Sequence, residues 1–349
     1  MGRRKVSRWS TDRRLRRLAI ITGVIAVAAV AAVLVVGYVV KLAGPLRQPV
    51  GQVNDVVITM GEYVKRLRVY ELSVRGSGQQ PDYSQIPFTL VFGMQDEELI
   101  RQGAPRHGVR VTPAEVEREL RTRVLSSQGR TESPETIDAA HFKEIYAQFL
   151  SELKLGDSDF RHIVEGDVLR GRLKDLLAQD PDQVPAVAEQ VHLRAIVLGT
   201  PEEGQPTVTP EQVIDRWRRG EDFGALAAEL SSHRSARNGG DLDFKPRHVL
   251  PEEVDQVAFS APIGPVYTPI STGAGYWIIE VLAKDENRRV SLEDFEVLKE
   301  FALSNWLREQ RKEENNTVKI FWDSGRYEFA VEQARRIRNP ASPGPTVAP

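Results

Sequence analysis

The sequence predicts an α+β protein held behind a single N-terminal membrane-spanning helix. Three observations carry this. Residues 18–40 form one uncharged apolar run directly after a basic segment. Apolar residues at spacings of three and four dominate from about residue 60 to 178, the mark of amphipathic helices. From residue 190 the pattern shifts to short apolar runs bounded by Gly and Pro turns and interleaved with short helices.

A run as long as 18–40 spans the hydrocarbon core of a bilayer as a helix, at ~1.5 Å per residue. Arg3, Arg4, Lys5, Arg8, Arg13, Arg14, Arg16 and Arg17 precede it, against Asp12 alone. Basic flanks stay on the cytoplasmic side. The expectation is a cytoplasmic segment at 1–17, a single-pass signal-anchor in the cell membrane at 18–40, and extracytoplasmic domains after it. The run exceeds the ~7–15-residue apolar region of a cleaved signal peptide. Orientation accounts for the basic cluster more plainly than a nucleic-acid patch does.

The formal charge of the chain is −2, and the first seventeen residues carry eight basic side chains against one acid, so the remainder stands at −9. An acidic outer portion argues against nucleic acid and against docking on an anionic membrane surface. Cysteine is absent, which excludes disulfides, thiolate metal sites and thiol catalysis. The six histidines are scattered without metal-ligand spacing, and no phosphate-binding loop, H-E-x-x-H or G-x-S-x-G occurs. No metal and no cofactor is expected.

Along the chain, Gly44-Pro45 opens a linker, and residues 50–59 (VGQVNDVVIT) read as a hairpin about an Asn54-Asp55 turn. Thr59 with Glu62 fits a capping box, followed by a helix bearing Tyr63, Leu67, Tyr70 and Val74 on one face. Residues 75–87 are rich in Gly, Gln, Ser and Pro and read as a loop. Helices are expected over 90–101, from the Thr112-Pro113-Ala114-Glu115 cap to about 126, and over 139–153. Phe160, Ile163, Val164, Val168, Leu169, Leu173, Leu176 and Leu177 form a further stripe. It fits a bundle core, or an apolar surface open to unfolded chains. Asp180-Pro181-Asp182 breaks the helical pattern. A strand is expected at 191–198 (VHLRAIVL), helices at 209–219 and 223–230, turns at Gly239-Gly240 and Gly264-Pro265, and a strand at 276–282 (YWIIEVL). Ser291 starts a long helix to about 313, residues 318–322 (VKIFW) read as a strand, and 327–337 as a last helix. The Pro- and Ala-rich tail 339–349 reads as disordered.

The unit at 189–284 resembles a parvulin-type (PpiC-like) peptidyl-prolyl isomerase domain. The phrases that carry the resemblance are Gly220-Glu221-Asp222-Phe223, residues 231–242 (SSHRSARNGGDL), Ala258-Phe259 before Gly264-Pro265-Val266, and residues 272–281 (TGAGYWIIEV). The opening Val53-Asn54-Asp55-Val56-Val57-Ile58-Thr59 is similar to the start of SurA/PrsA/PpiD-type foldases. The resemblance implies a mostly helical SurA-like chaperone module at 41–185, a parvulin-like α+β domain with a small antiparallel sheet at 186–290, and a C-terminal helix and strand at 291–338 that pack back on the module.

Departures from the family pattern matter as much. Ala195 and Trp277 stand where the resemblance implies two histidines, and His233 falls on an Asp/Cys position. Of the four polar centres only Thr272 is kept, so the catalytic candidates are His233 and Thr272. His192 lies an odd offset from Ala195 and should face the other side of its strand. The implied apolar proline pocket is Leu242, Val249, Val254 and Phe259, residues that could equally fill a core. Prolyl isomerisation crosses a barrier of ~18–20 kcal/mol without covalent chemistry, so an apolar clamp can outlast the polar network. The expected function is a membrane-anchored extracytoplasmic chaperone with weak or lost isomerase activity. Its expected partners are unfolded or proline-containing segments of exported proteins, and the secretion machinery. The alternatives are an active isomerase with an atypical site and a tethered scaffold for one specific partner.

Overall fold

A computed structural model describes residues 44–77, 85–199 and 208–338. The expected anchor at 18–40, the basic segment before it and the tail after 338 lie outside the described residues. Among those described, no helix is long and apolar enough to cross a membrane. Ten helices and seven strands appear, the strands in two small antiparallel sheets. The strands are β1 (Pro49–Val53), β2 (Val56–Thr59), β3 (Val187–Leu198), β4 (Asp241–Pro246), β5 (Gly264–Thr272), β6 (Gly275–Arg289) and β7 (Val318–Ile320).

The described residues fall into two compact units, one from those up to Leu169 together with those from Gln310, the other from those between Arg170 and Glu309. The divisions fall inside the helix Asp157–Leu177 and inside the helix Leu292–Gln310.

In the first unit, β1 and β2 form the hairpin read from the sequence, with Asn54 at φ 52 in its turn. β7 pairs antiparallel on the other side of β1, giving the order β2-β1-β7. Asn54 ties the three strands together. Its Nδ2 donates to Gln102 Oε1 at 2.7 Å and Asn316 Oδ1 at 2.9 Å, and its Oδ1 accepts from the Thr317 N–H at 2.9 Å. The helix Met60–Ser77 starts where the Thr59 N–H donates to Glu62 Oε2 at 2.7 Å and the Glu62 N–H to Thr59 Oγ1 at 3.3 Å. With Ile86–Gly103 and Ser324–Arg338 it covers the sheet, burying Val50, Tyr63, Leu67, Val91 and Ala330. A second core joins Pro113–Ser127, Ala139–Leu153 and Asp157–Leu177 through Leu120, Val124, Phe149, Phe160 and Val164. Each such buried side chain contributes ~1.5–3 kcal/mol.

In the second unit the order is β4-β3-β6-β5. Alternation along β3 sends Val191, Leu193, Ala195 and Val197 to one face and Ile196 to the other. The second face is covered by the helices Pro210–Arg218 and Phe223–Leu230 through Val213, Ile214, Phe223 and Leu226. The first is covered by the helix Glu252–Ser260, which the sequence reading did not anticipate. Its signals are Glu252, Glu253 and Asp255 in the first turn, after Pro251 at the N-cap. Leu298 and Ala302 of Leu292–Gln310 build a third core with Val184 and Val290.

Candidate functional site

β3 and β6 bring the two altered positions to one place. Ala195 pairs with Ile279 and Val197 with Trp277. Ala195 and Trp277 lie on the same sheet face and are buried in the same cluster. The methyl of Ala195 offers no polar atom, and the indole of Trp277 can only donate.

His233 approaches this face from a loop strapped to β3. The Val197 N–H donates to Ser231 Oγ at 3.0 Å, and Ser232 donates its N–H and its hydroxyl to the Val197 carbonyl at 2.8 and 3.0 Å. A short 3-10 turn, Arg234–Asn238, then leads to Gly239 and Gly240, both at positive φ. The Ala195 N–H donates to the Gly240 carbonyl at 2.9 Å, and a Cβ on Gly240 would lie 2.5 Å from the Ala195 oxygen, so only glycine fits. Gly240 is therefore required by the close approach of β3, and Ser231 by its bond to the Val197 N–H.

The His233 ring centre is 5.8 Å from Trp277. Its Nδ1 accepts from the Ser235 N–H at 3.2 Å and lies 2.9 Å from Ser235 Oγ. That places the ring proton on Nε2. Burial, aided by the Arg234 charge, lowers the His233 pKa from its usual 6.5. The folded state then favours the neutral ring, so its contribution to stability is full above ~6.5 and is lost as pH falls through the lowered value. We expect an NMR titration midpoint for His233 below ~6.5, and a rise in that midpoint in Arg234→Gln.

Thr272 shares the face of Ile270 and Trp277, because Ile270 pairs with Trp277 and Thr272 with Gly275. Its hydroxyl is committed to the β5–β6 turn, donating to the Gly275 carbonyl at 2.8 Å and accepting from the Ala274 N–H at 3.3 Å. His192 is on the opposite face from Ala195, with Nε2 2.9 Å from Asp241 Oδ1 and its ring against Phe244.

Of the expected pocket residues, Leu242, Val254 and Phe259 pack on the Ala195–Trp277 face. Val249 does not. It packs with Val184, Val290, Leu298 and Phe295, and Leu250 takes the place on this face. The resemblance implies Val249 here, and the residue just before it, His248, stands at φ +70. Sequence reasoning also missed Arg247, whose guanidinium lies 4.1 Å over the Phe259 ring. Val254 is 0% and Phe259 6% exposed, so these side chains close on one another beneath that cation. The open concavity beside His233 is a cleft of about 700 Å³ reaching Leu242, Phe244 and Lys245. Half-buried Lys245 pairs with buried Asp294 at 2.8 Å along it. Among the described residues, no cluster of three metal-ligating side chains occurs.

A family model, "Rotamase: PPIC-type PPIASE domain", matches residues 204–283. This segment is a PPIC-type PPIase domain. Around it the chain is similar to SurA-type chaperones. It is 27% identical over 265 residues to chaperone SurA of Pseudomonas syringae pv. tomato (strain ATCC BAA-871 / DC3000), covering 72% of this chain and 61% of that protein. With chaperone SurA of Legionella pneumophila (strain Lens) it is 26% identical over 259 residues, covering 70% and 59%. The chain thus spans about three fifths of the length of these curated relatives. Among solved structures, PrsA from Bacillus anthracis aligns at 16% identity and a TM-score of 0.40, over 72% of this chain and 97% of that one. The Gly239-Gly240 turn, the Thr272 turn and Trp277 lie within the matched residues, and Ala195 lies just before them.

Proposed function

We propose that the protein is a membrane-anchored extracytoplasmic folding factor that binds unfolded, proline-containing segments of exported proteins and turns them over weakly or not at all. One observation carries this: Ala195 and Trp277 sit together on the face that the neighbouring apolar residues share. The polar groups that remain are partly committed elsewhere. Thr272 holds a turn, and His233 spends its Nδ1 on Ser235. An isomerase must favour the twisted amide over its planar states, and neither Ala195 nor Trp277 brings an acceptor to this face for that task. Binding needs less: an apolar surface and a cleft, with backbone hydrogen bonds to an extended segment.

The anchor rests on residues 18–40 and the basic residues before them. Tethering raises the local concentration of a binding surface beside emerging chains, and the secretion machinery is the partner this position implies. Similarity to SurA-type chaperones supports the choice of unfolded polypeptide as ligand.

The test is aggregation suppression. Full-length protein in detergent should suppress aggregation of an unrelated unfolded protein at near-stoichiometric ratio. No suppression at any ratio, with tight binding to one folded partner, would favour a scaffold instead.

A further inference from the structure

The edges of the two sheets are treated differently. In the second unit, edge strand β5 carries Pro265 and Pro269, and edge strand β4 ends at Pro246 with Asp243 at φ +59. Proline and irregular backbone blunt an edge against added strands. In the first unit, β2 is an edge strand that reads Val56-Val57-Ile58-Thr59, with no proline and no charge. Val56 is 42% and Val57 46% exposed.

The register says which backbone groups of β2 are open. Val53 faces Val56 across the two-residue turn, and Gly51 faces Ile58. On β1, the Val50 carbonyl accepts from Phe321 and the Asn54 N–H donates to Thr317, so residues 50, 52 and 54 bond toward β7. Gln52 therefore turns away from Val57, and alternation leaves the Val57 N–H and C=O pointing outward from the sheet. The neighbouring Thr59 N–H is already taken by Glu62. Among the described residues, no strand pairs with this side of β2.

A cleft of about 400 Å³ adjoins the same edge, with Ile58, Met94 and Ile163 among its lining. That lies within the ~300–1,000 Å³ range of clefts that hold small ligands or a few side chains. Each cation on its rim is paired internally, and the carboxylate of Glu62 is held by the Thr59 N–H and hydroxyl. Lys65 pairs with Asp159 at 2.8 Å, Arg66 with Glu97 at 2.8 Å, and Arg101 with Glu97 at 3.2 Å. A rim whose cations and carboxylates satisfy each other makes no demand for an ionic ligand.

We propose that β2 is a docking edge for an extended, uncharged, apolar polypeptide segment, which pairs its backbone with Val57 and places a side chain in the adjoining cleft. This rests on the folding-factor function above and gives its ligand a place in the first unit, away from the PPIase domain.

The absence of cysteine makes the test clean, because Val57→Cys is then the sole thiol of the full chain. The probe is an eight-residue Val/Thr peptide with one activated cysteine. We expect it to be trapped at position 57 at least about tenfold faster than in Thr268→Cys on the β5 edge. Val57→Pro removes only the outward N–H and should weaken binding of the unactivated peptide by up to about tenfold, the worth of one net hydrogen bond. Val57→Lys, which keeps the backbone intact, should weaken it as well, whereas Val57→Ala should not. Equal trapping at 57 and 268, or unchanged binding in both Val57→Pro and Val57→Lys, overturns the proposal. So does formation of disulfide-linked pairs of the chain in place of the peptide adduct, which would assign the edge to a second copy. If wild type suppresses aggregation and Val57→Pro suppresses it equally, only the location fails. If wild type binds no unfolded chain, the function fails with it.

Discussion

Gly275→Ala is expected to destabilise the PPIase-containing unit by about 3–5 kcal/mol. Gly275 sits at φ +124, and a Cβ there would lie 2.1 Å from the Leu198 oxygen and 3.1 Å from the Gly199 Cα. Both neighbours are backbone, so neither can swing aside. Relief requires parting β3 from β6 at Leu198–Tyr276, beside the Val197–Trp277 pair that forms the site. The thermal transition of this unit should fall by about 10 °C or more. Gly273→Ala is the control. It lies two residues away with nothing within 4 Å of its built Cβ, and should leave the transition within about 2 °C. A Gly275→Ala protein as stable as wild type would mean that the β3–β6 register at this end is wrong.

Asn54→Ala should cost the first unit about 2–4 kcal/mol. It removes the bonds to Gln102, Asn316 and Thr317 and leaves alanine at φ 52. Asn54→Gly restores the backbone freedom and none of the bonds. The difference between the two variants therefore measures the left-handed cost, and the loss that remains in Asn54→Gly measures the tie between the hairpin and β7. Urea unfolding of each variant gives both numbers. If Asn54→Gly matches wild type, the side-chain ties contribute nothing, and β7 is held by its ladder and the core alone.

Sequence and structure agree most closely where local chemistry dictates backbone. The capping residues Thr59, Thr112 and Thr209 each start the helix expected of them. The Gly239-Gly240 turn and the β5–β6 turn follow from positions where only a small or hydroxyl-bearing residue fits. Ala195 and Trp277 are singled out by the family resemblance, and the β3–β6 register puts them on one face. The resemblance fails to transfer at Val249, where Leu250 packs on the face instead. Long-range pairing is less legible. The hairpin at 50–59 and the run at 318–322 are each visible locally, but 265 residues separate Val53 from its partner Val318, and periodicity alone does not pair them. The stripe at 160–177 reads as one face, yet Phe160 and Val164 fill a core of the first unit while Leu177 fills one of the second. A stripe reports that a helix is buried, not what buries it.

A proline-peptide isomerisation assay on the full chain separates binding from catalysis most directly. We expect turnover near the uncatalysed rate for wild type, unchanged in His233→Ala and Thr272→Val, in a protein that still suppresses aggregation. Ala195→His with Trp277→His should raise turnover if the rest of the face is intact. Appreciable wild-type turnover, abolished by changing His233 or Thr272, would contradict the account and make the protein an isomerase with an unusual site.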